Sequence, residues 1–147
     1  MVQVIAPVDI TGGKTGQAFS MKHYRHASIY LMIGVSAAAF TKILVNQCTD
    51  HTGANPVAIP FNIYTQEVAG ASNDVLSART PVAAAGYTPS ANSGIFYVIE
   101  LDAEELADGS SYVQVQLTNG VNSVIAACLA VLSGARDEYA QSATETT

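Results

Sequence analysis

Tryptophan is absent from the 147 residues, and only 12% of them are charged. An average domain is about a quarter charged, so little of this chain is reserved for a highly charged surface. Basic residues are scarcest: six Lys and Arg stand against twelve Asp and Glu, a net charge of −6. Duplex affinity comes mainly from neutralised phosphates, and this balance excludes nucleic acid as a partner. No apolar run reaches the roughly 18 residues needed to span a bilayer. The best candidate, Ile29 to Ile33, is stopped by Gly34 and Ser36 and preceded by Lys22, His23, Arg25 and His26, so no membrane partner is expected. Met1 to Pro7 holds no basic region followed by an apolar stretch, which predicts no secretory signal and folding in a cytosol. Only two cysteines occur, Cys48 and Cys128, each in an apolar run; in a reducing compartment they read as small core thiols. What is plentiful is hydrophobic material, 49% of the chain. That excludes intrinsic disorder and suffices for one domain.

The motifs that carry chemistry are missing too. Gly12-Gly13-Lys14-Thr15 has the end of a phosphate-binding loop, but that loop needs an earlier Gly where Val8 stands, and a helix afterwards. Ala91-Asn92-Ser93-Gly94 lacks the first glycine of a nucleophile elbow. Cys48 and His51 have nothing nearby to orient them as a catalytic pair. His23 and His26, three apart on a strand, point to opposite faces and cannot share one ion; they read as a polar patch. Glu100, Asp102, Glu104, Glu105 and Asp108 form an acidic cluster without the calcium-loop spacing or an aromatic platform for sugar. It reads as a solvated loop able to accept a basic partner. No enzyme activity, cofactor or metal is expected, since no requirement of an active site is met.

The patterning is that of strands. Ile29, Leu31 and Ile33 alternate with Tyr30 and Met32, and Ile43 and Val45 with Lys42, Leu44 and Asn46. Ile59, Phe61 and Ile63 alternate with Pro60, Asn62 and Tyr64, and Ile95, Tyr97, Ile99 and Leu101 with Phe96, Val98 and Glu100. Val113, Val115 and Leu117 read as inward, Tyr112, Gln114, Gln116 and Thr118 as outward. Period two is the strand signature. Thr49 to Pro56 is a turn cluster, and Ala103 to Ala107 allows one helical turn at most. Two small strands are expected around 74–78 and 82–85. Asn119-Gly120 predicts a type I′ hairpin leading into a return strand over 123–132. About eight short strands without a three-turn helix predict an all-β fold: an antiparallel β-sandwich, with the jelly roll as one form of it. Residues 1–20 read as an extended N-terminal arm: Val2, Val4, Ile5, Val8 and Ile10 are strand formers, Pro7 confines them to an edge or bulge, and a short edge strand followed by a flexible turn at Gly12-Gly13 is expected. The sandwich then occupies 21–134, and 135–147 form a polar C-terminal tail.

One pattern bears on function. Ile125, Ala127, Leu129 and Val131 oppose Val124, Ala126, Cys128 and Ala130, making a strand apolar on both faces. A two-layer sandwich needs only one apolar face per strand. The second is covered either by the protein's own long loops or by another subunit.

The segment Ser20 to Gly34, with Met21, Tyr24 and Arg25 leading into the alternating run, resembles the first core strand of small virion proteins of tailed bacteriophages. Phe96 to Asp102 and Ala126 to Ser133 are similar to later strands of that group in the same order. The resemblance covers about a quarter of the chain and implies an all-β structural subunit, most nearly a capsid decoration (cement) protein on the virion surface. It also implies the major capsid protein as partner and a homo-oligomer, usually a trimer; closed cyclic assembly suits two-faced strands. Related sequences serve as head-completion, connector or tail parts. A carbohydrate-binding β-sandwich is a further alternative, disfavoured by the missing tryptophan. The residues expected to contact a partner are those of the arm: Val2, Val4, Ile5, Val8 and Ile10.

Overall fold

Alternating side chains require a ladder on each side of the strand, and the chain supplies it by rolling up on itself. The computed structural model describes residues 1–67, 76–89 and 93–136. Its strands there are β1 (Val2–Asp9), β2 (Lys14–Thr15), β3 (Phe19–Ser20), β4 (Tyr24–Ser36), β5 (Lys42–Cys48), β6 (Val57–Ala58), β7 (Phe61–Glu67), β8 (Thr80–Val82), β9 (Ile95–Asp102), β10 (Tyr112–Thr118) and β11 (Val124–Ala135). A 3-10 turn over Ala103–Glu105 is the only helical element among the described residues.

One sheet runs β1-β11-β4-β9-β7-β8, the other β2-β10-β5-β6, with β3 also on β10. The pairs β1·β11, β2 and β3·β10, β4·β9 and β5·β6 are all antiparallel. They are nested: first strand with last, second with second-last, and so inward. This is one long hairpin rolled into two layers, closed sideways by β11·β4 and β10·β5. The fold is therefore a jelly roll. Among the described residues there are eleven strands against the expected eight or so; the ones that alternation could not mark are β2, β3 and β6, each two residues long.

Inward faces follow the alternation. Ala27, Ile29, Leu31 and Ile33 of β4 meet Tyr97, Ile99 and Leu101 of β9 and Ala126, Cys128 and Ala130 of β11, opposite Ile43, Val45, Val113, Val115 and Leu117. Each buried Ile or Leu contributes about 1.5–3 kcal/mol relative to exposure. Tyr97 packs edge-on to Tyr87 at 5.8 Å.

Residues 1–20 do not extend away from the body. β1 lies along β11 from Val2↔Ala130 to Asp9↔Ile125, and Val2, Val4, Ile5 and Ile10 are in the core. Pro7 is accommodated because β1 is an edge strand whose register shifts between Ile5 and Val8, where a missing N–H breaks no ladder. Gly16 N–H bonds to Val115 O and Gln17 N–H to Val4 O, stitching the edges of the two sheets together. At the other end, Ala135 still belongs to β11, opposite Tyr24.

Two further expectations change. Asn119-Gly120 is not a hairpin, because β10 and β11 lie in different sheets and neither residue takes positive φ. Instead Asn119 Nδ2 donates to Ile10 O and Asn122 O, pinning the crossover to the end of β1. The strand expected near 82–85 is β8, Thr80–Val82, with a turn after it. Residues 76–78 of the other expected strand are outside any strand, and 74–75 lie outside the described residues.

Candidate functional site

The two sheets treat their outer faces differently. On the β2-β10-β5-β6 sheet the outer face mixes polar and apolar side chains and its middle is covered: the cross-strand neighbours Asn46 and Gln114 are buried, as are Cys48 and Tyr112. The turn after β5 folds over Gln114. It brings Gly53, at φ +75, so close that a Cβ there would meet Gln114 Nε2 at 2.5 Å.

On the six-stranded sheet the middle of the outer face is apolar and partly exposed: Val98 is buried and Tyr30, Phe96 and Leu129 are half-buried. Cross-strand register places Ala127, Met32 and Phe96 in one row, and Leu129, Tyr30, Val98 and Tyr64 in the next. Tyr30 and Phe96 stack at 5.7 Å with rings 20° apart. Met32 is 41% exposed and Ile125 40%; Val35 and Val121 stand exposed at the same end of the sheet. Beside this strip, Met1, Gln3, Pro7, Met32 and Leu129 surround a depression of about 230 Å³. The second apolar face of β11 is thus not sheltered: Ile125 is exposed and Ala127, Leu129 and Val131 are half-buried. Exposed apolar strips of this kind mark contact sites.

Farther along the same face the rows turn polar: Val131, Ser28, Glu100 and Asn62, then Ser133, His26 and Asp102. His26 Nε2 lies 2.6 Å from Glu100 Oε2 and its Nδ1 2.7 Å from Asp102 Oδ1. Ser28 Oγ donates to Glu100 Oε2 at 2.8 Å. Partial burial would lower the His26 pKa; the hydrogen bonds of Asp102 and Glu100, with their charges, outweigh it and raise it above the ordinary value. The sequence reading separated His26 from the acidic cluster, since 74 and 76 positions intervene. The signal that unites them is the β4·β9 register.

The edges of the sheets are poor docking elements. β1 carries Pro7 and two register shifts, β8 carries Pro81, and β6 spans two residues between Pro56 and Pro60. Prolines and bulges blunt strand-to-strand association.

Of the five arm residues, Val2, Val4, Ile5 and Ile10 are 6% exposed or less; only Val8, at 36%, reaches solvent. Lys14 and Thr15 form strand β2 rather than opening a helix, so the phosphate-loop likeness has no structural counterpart. Burial, with the Asp50 charge, raises the Cys48 thiol pKa, and burial alone pushes Cys128 up to about 12; both shifts disfavour a thiolate nucleophile. Among the described residues no three His, Cys, Asp or Glu side chains are grouped to hold a metal ion, and no helix is long and apolar enough to cross a membrane.

The chain matches no protein-family model and no curated protein. Among solved structures it is similar to the SPBc2 prophage-derived protein YomS, with a TM-score of 0.44 and 14% identity over 90% of this chain and 96% of that one.

Proposed function

We propose that this chain is a structural subunit of a tailed-phage virion, a capsid decoration protein that docks on the major capsid protein through the outer face of its six-stranded sheet. It acts by binding and performs no reaction of its own. The observation that supports this most is the contrast between the faces: the protein covers Asn46, Cys48, Tyr112 and Gln114 on one sheet, while on the other Met32 and Ile125 stand exposed beside half-buried Tyr30, Phe96 and Leu129. Interfaces of this type take their energy from a few aromatic and apolar anchors within a polar rim, and Ser28, Asn62, Glu100 and Asp102 provide such a rim. The virion assignment draws on the resemblance of the strands at 20–34, 96–102 and 126–133 to phage virion proteins. A trimer about a lattice axis follows the same resemblance, with closed symmetry favoured over open contacts.

Co-sedimentation with bare heads of the phage that encodes the chain tests this. Wild-type protein saturates the heads at lattice copy number. Phe96→Lys, in the middle of the strip, weakens binding by at least about 30-fold, the size of a hot-spot loss near 2 kcal/mol. Unchanged affinity of Phe96→Lys would remove this face from the mechanism, and saturation at a single vertex's few copies would replace decoration by a connector role.

A further inference from the structure

The polar end of the docking face carries a device that its apolar part does not explain. We propose that His26 is a protonation-dependent clamp: as imidazolium it ties Glu100 and Asp102 of β9 to β4, and on deprotonation it frees carboxylate charge beside the docking strip and weakens docking.

The geometry asks for two donors. Nε2 and Nδ1 each approach a carboxylate oxygen of a different residue, at 2.6 and 2.7 Å. A neutral imidazole has one N–H. In that state one of the two nitrogens would present a lone pair to an anionic oxygen, so only the cation satisfies both contacts. The Glu100 carboxylate is itself held, since Ser28 Oγ donates to Glu100 Oε2. The Asp102 main chain is fixed by its N–H, which donates to Glu105 Oε2 at the start of the 3-10 turn. The surrounding groups are Glu100 and Asp102 on β9, Glu104 and Glu105 on the turn, and the uncharged Asn62 on β7 and Ser133 on β11. Among the described residues Arg25 on β4, His23 before it and Arg136, whose N–H bonds to His23 O, are the basic groups at that end. Glu100 and Asp102 are the charges in contact with the ring, and they raise the His26 pKa against its partial burial. A raised folded-state pKa stabilises the fold fully below the unfolded value, and that contribution is lost as pH rises through the folded one.

The last step, weaker docking, rests on the proposed function; the clamp rests on this chain alone. Imidazole ¹⁵N and ¹³C resonances of the whole protein separate the two. His26 should titrate above its value in the urea-unfolded chain, and Asp102→Asn or Glu100→Gln should each move it down. The melting-temperature advantage of wild type over His26→Gln should shrink as pH rises above 6.5, the ordinary histidine value. Head binding should weaken several-fold over the same range in wild type and stay flat in His26→Gln. Titration of His26 at or below its unfolded value overturns the clamp. A normal clamp titration with pH-independent head binding overturns the regulatory step. Absence of head binding at every pH overturns the docking reading, while the resonances still decide the clamp.

Discussion

Ile5 and Val8 lie three residues apart on β1, and the structure gives them opposite roles. Ile5 is 2% exposed, opposite Cys128 and within the core, whereas Val8 is 36% exposed. Ile5→Ala removes three buried carbons, about 2.4 kcal/mol at 0.8 kcal/mol each, and leaves a cavity that β1, stitched to Gln17 through Val4, cannot fully close. The expected cost is about 2–4 kcal/mol. For a chain of this length that lowers the melting temperature by about 5–15 °C. Val8→Ala removes two carbons already in contact with water and should cost under about 1 kcal/mol. Urea unfolding followed by circular dichroism measures both, with the slope unchanged and the midpoint moved only for Ile5→Ala. Equal midpoints for the two variants, within about 0.5 kcal/mol, would mean that β1 is a detachable arm and that its burial here is wrong.

Three other perturbations probe the fold's fastenings. Asp9 accepts hydrogen bonds from Ser123 Oγ and from Thr11 Oγ1 and N–H, and these hold its pKa down at about 2 against an ordinary 3.8. Its contribution is present above pH 3.8 and lost as pH falls towards 2, so Asp9→Ala should flatten the acid limb of a melting-temperature profile across that window, and an unaltered limb would refute the assignment. Gly86 has φ +87, and a Cβ there would meet Ile43 O at 2.7 Å. Gly86→Ala should therefore cost at least about 1–3 kcal/mol by thermal melting, and a neutral result would contradict the Tyr87–Ile43 bridge. Asn119→Ala loses the bonds to Ile10 O and Asn122 O and should cost about 1–2 kcal/mol in urea; hydrogen exchange should rise at the Ile10 amide, whose N–H donates to Val124 O.

The sequence disclosed the strands better than their partners. Period two in Ala27 to Ile33, Ile95 to Leu101 and Tyr112 to Thr118 identifies both the strands and their inward faces, because alternation is a local property that burial on one side enforces. Which sheet a strand joins is not local. Tyr112 to Thr118 and Val124 to Ala135 are consecutive and read as a hairpin, yet the roll sends each to a different layer. The short edge strand expected across Val2 to Ile10 is β1, with Pro7 tolerated because the strand is an edge; what stayed hidden is its ladder partner, more than a hundred residues away. Tyr112 and Gln114, read as outward, do face outward, and they are buried because Lys22 lies over the Tyr112 ring and the turn at Gly53 covers Gln114. The apolar second face of β11 was legible from Ile125, Ala127, Leu129 and Val131 alone. Its continuation through Met32, Tyr30 and Phe96 needed the register, as did the meeting of His26 with Glu100 and Asp102.

The most direct test is a cryo-electron-microscopy reconstruction of the intact phage particle, fine enough to trace side chains. The account predicts this chain at lattice positions on the head, with Tyr30, Met32 and Phe96 against the major capsid protein and the Asp50 to Asn55 turn towards solvent. A particle without the chain, or one in which that strip faces water while another surface makes the contact, would contradict it.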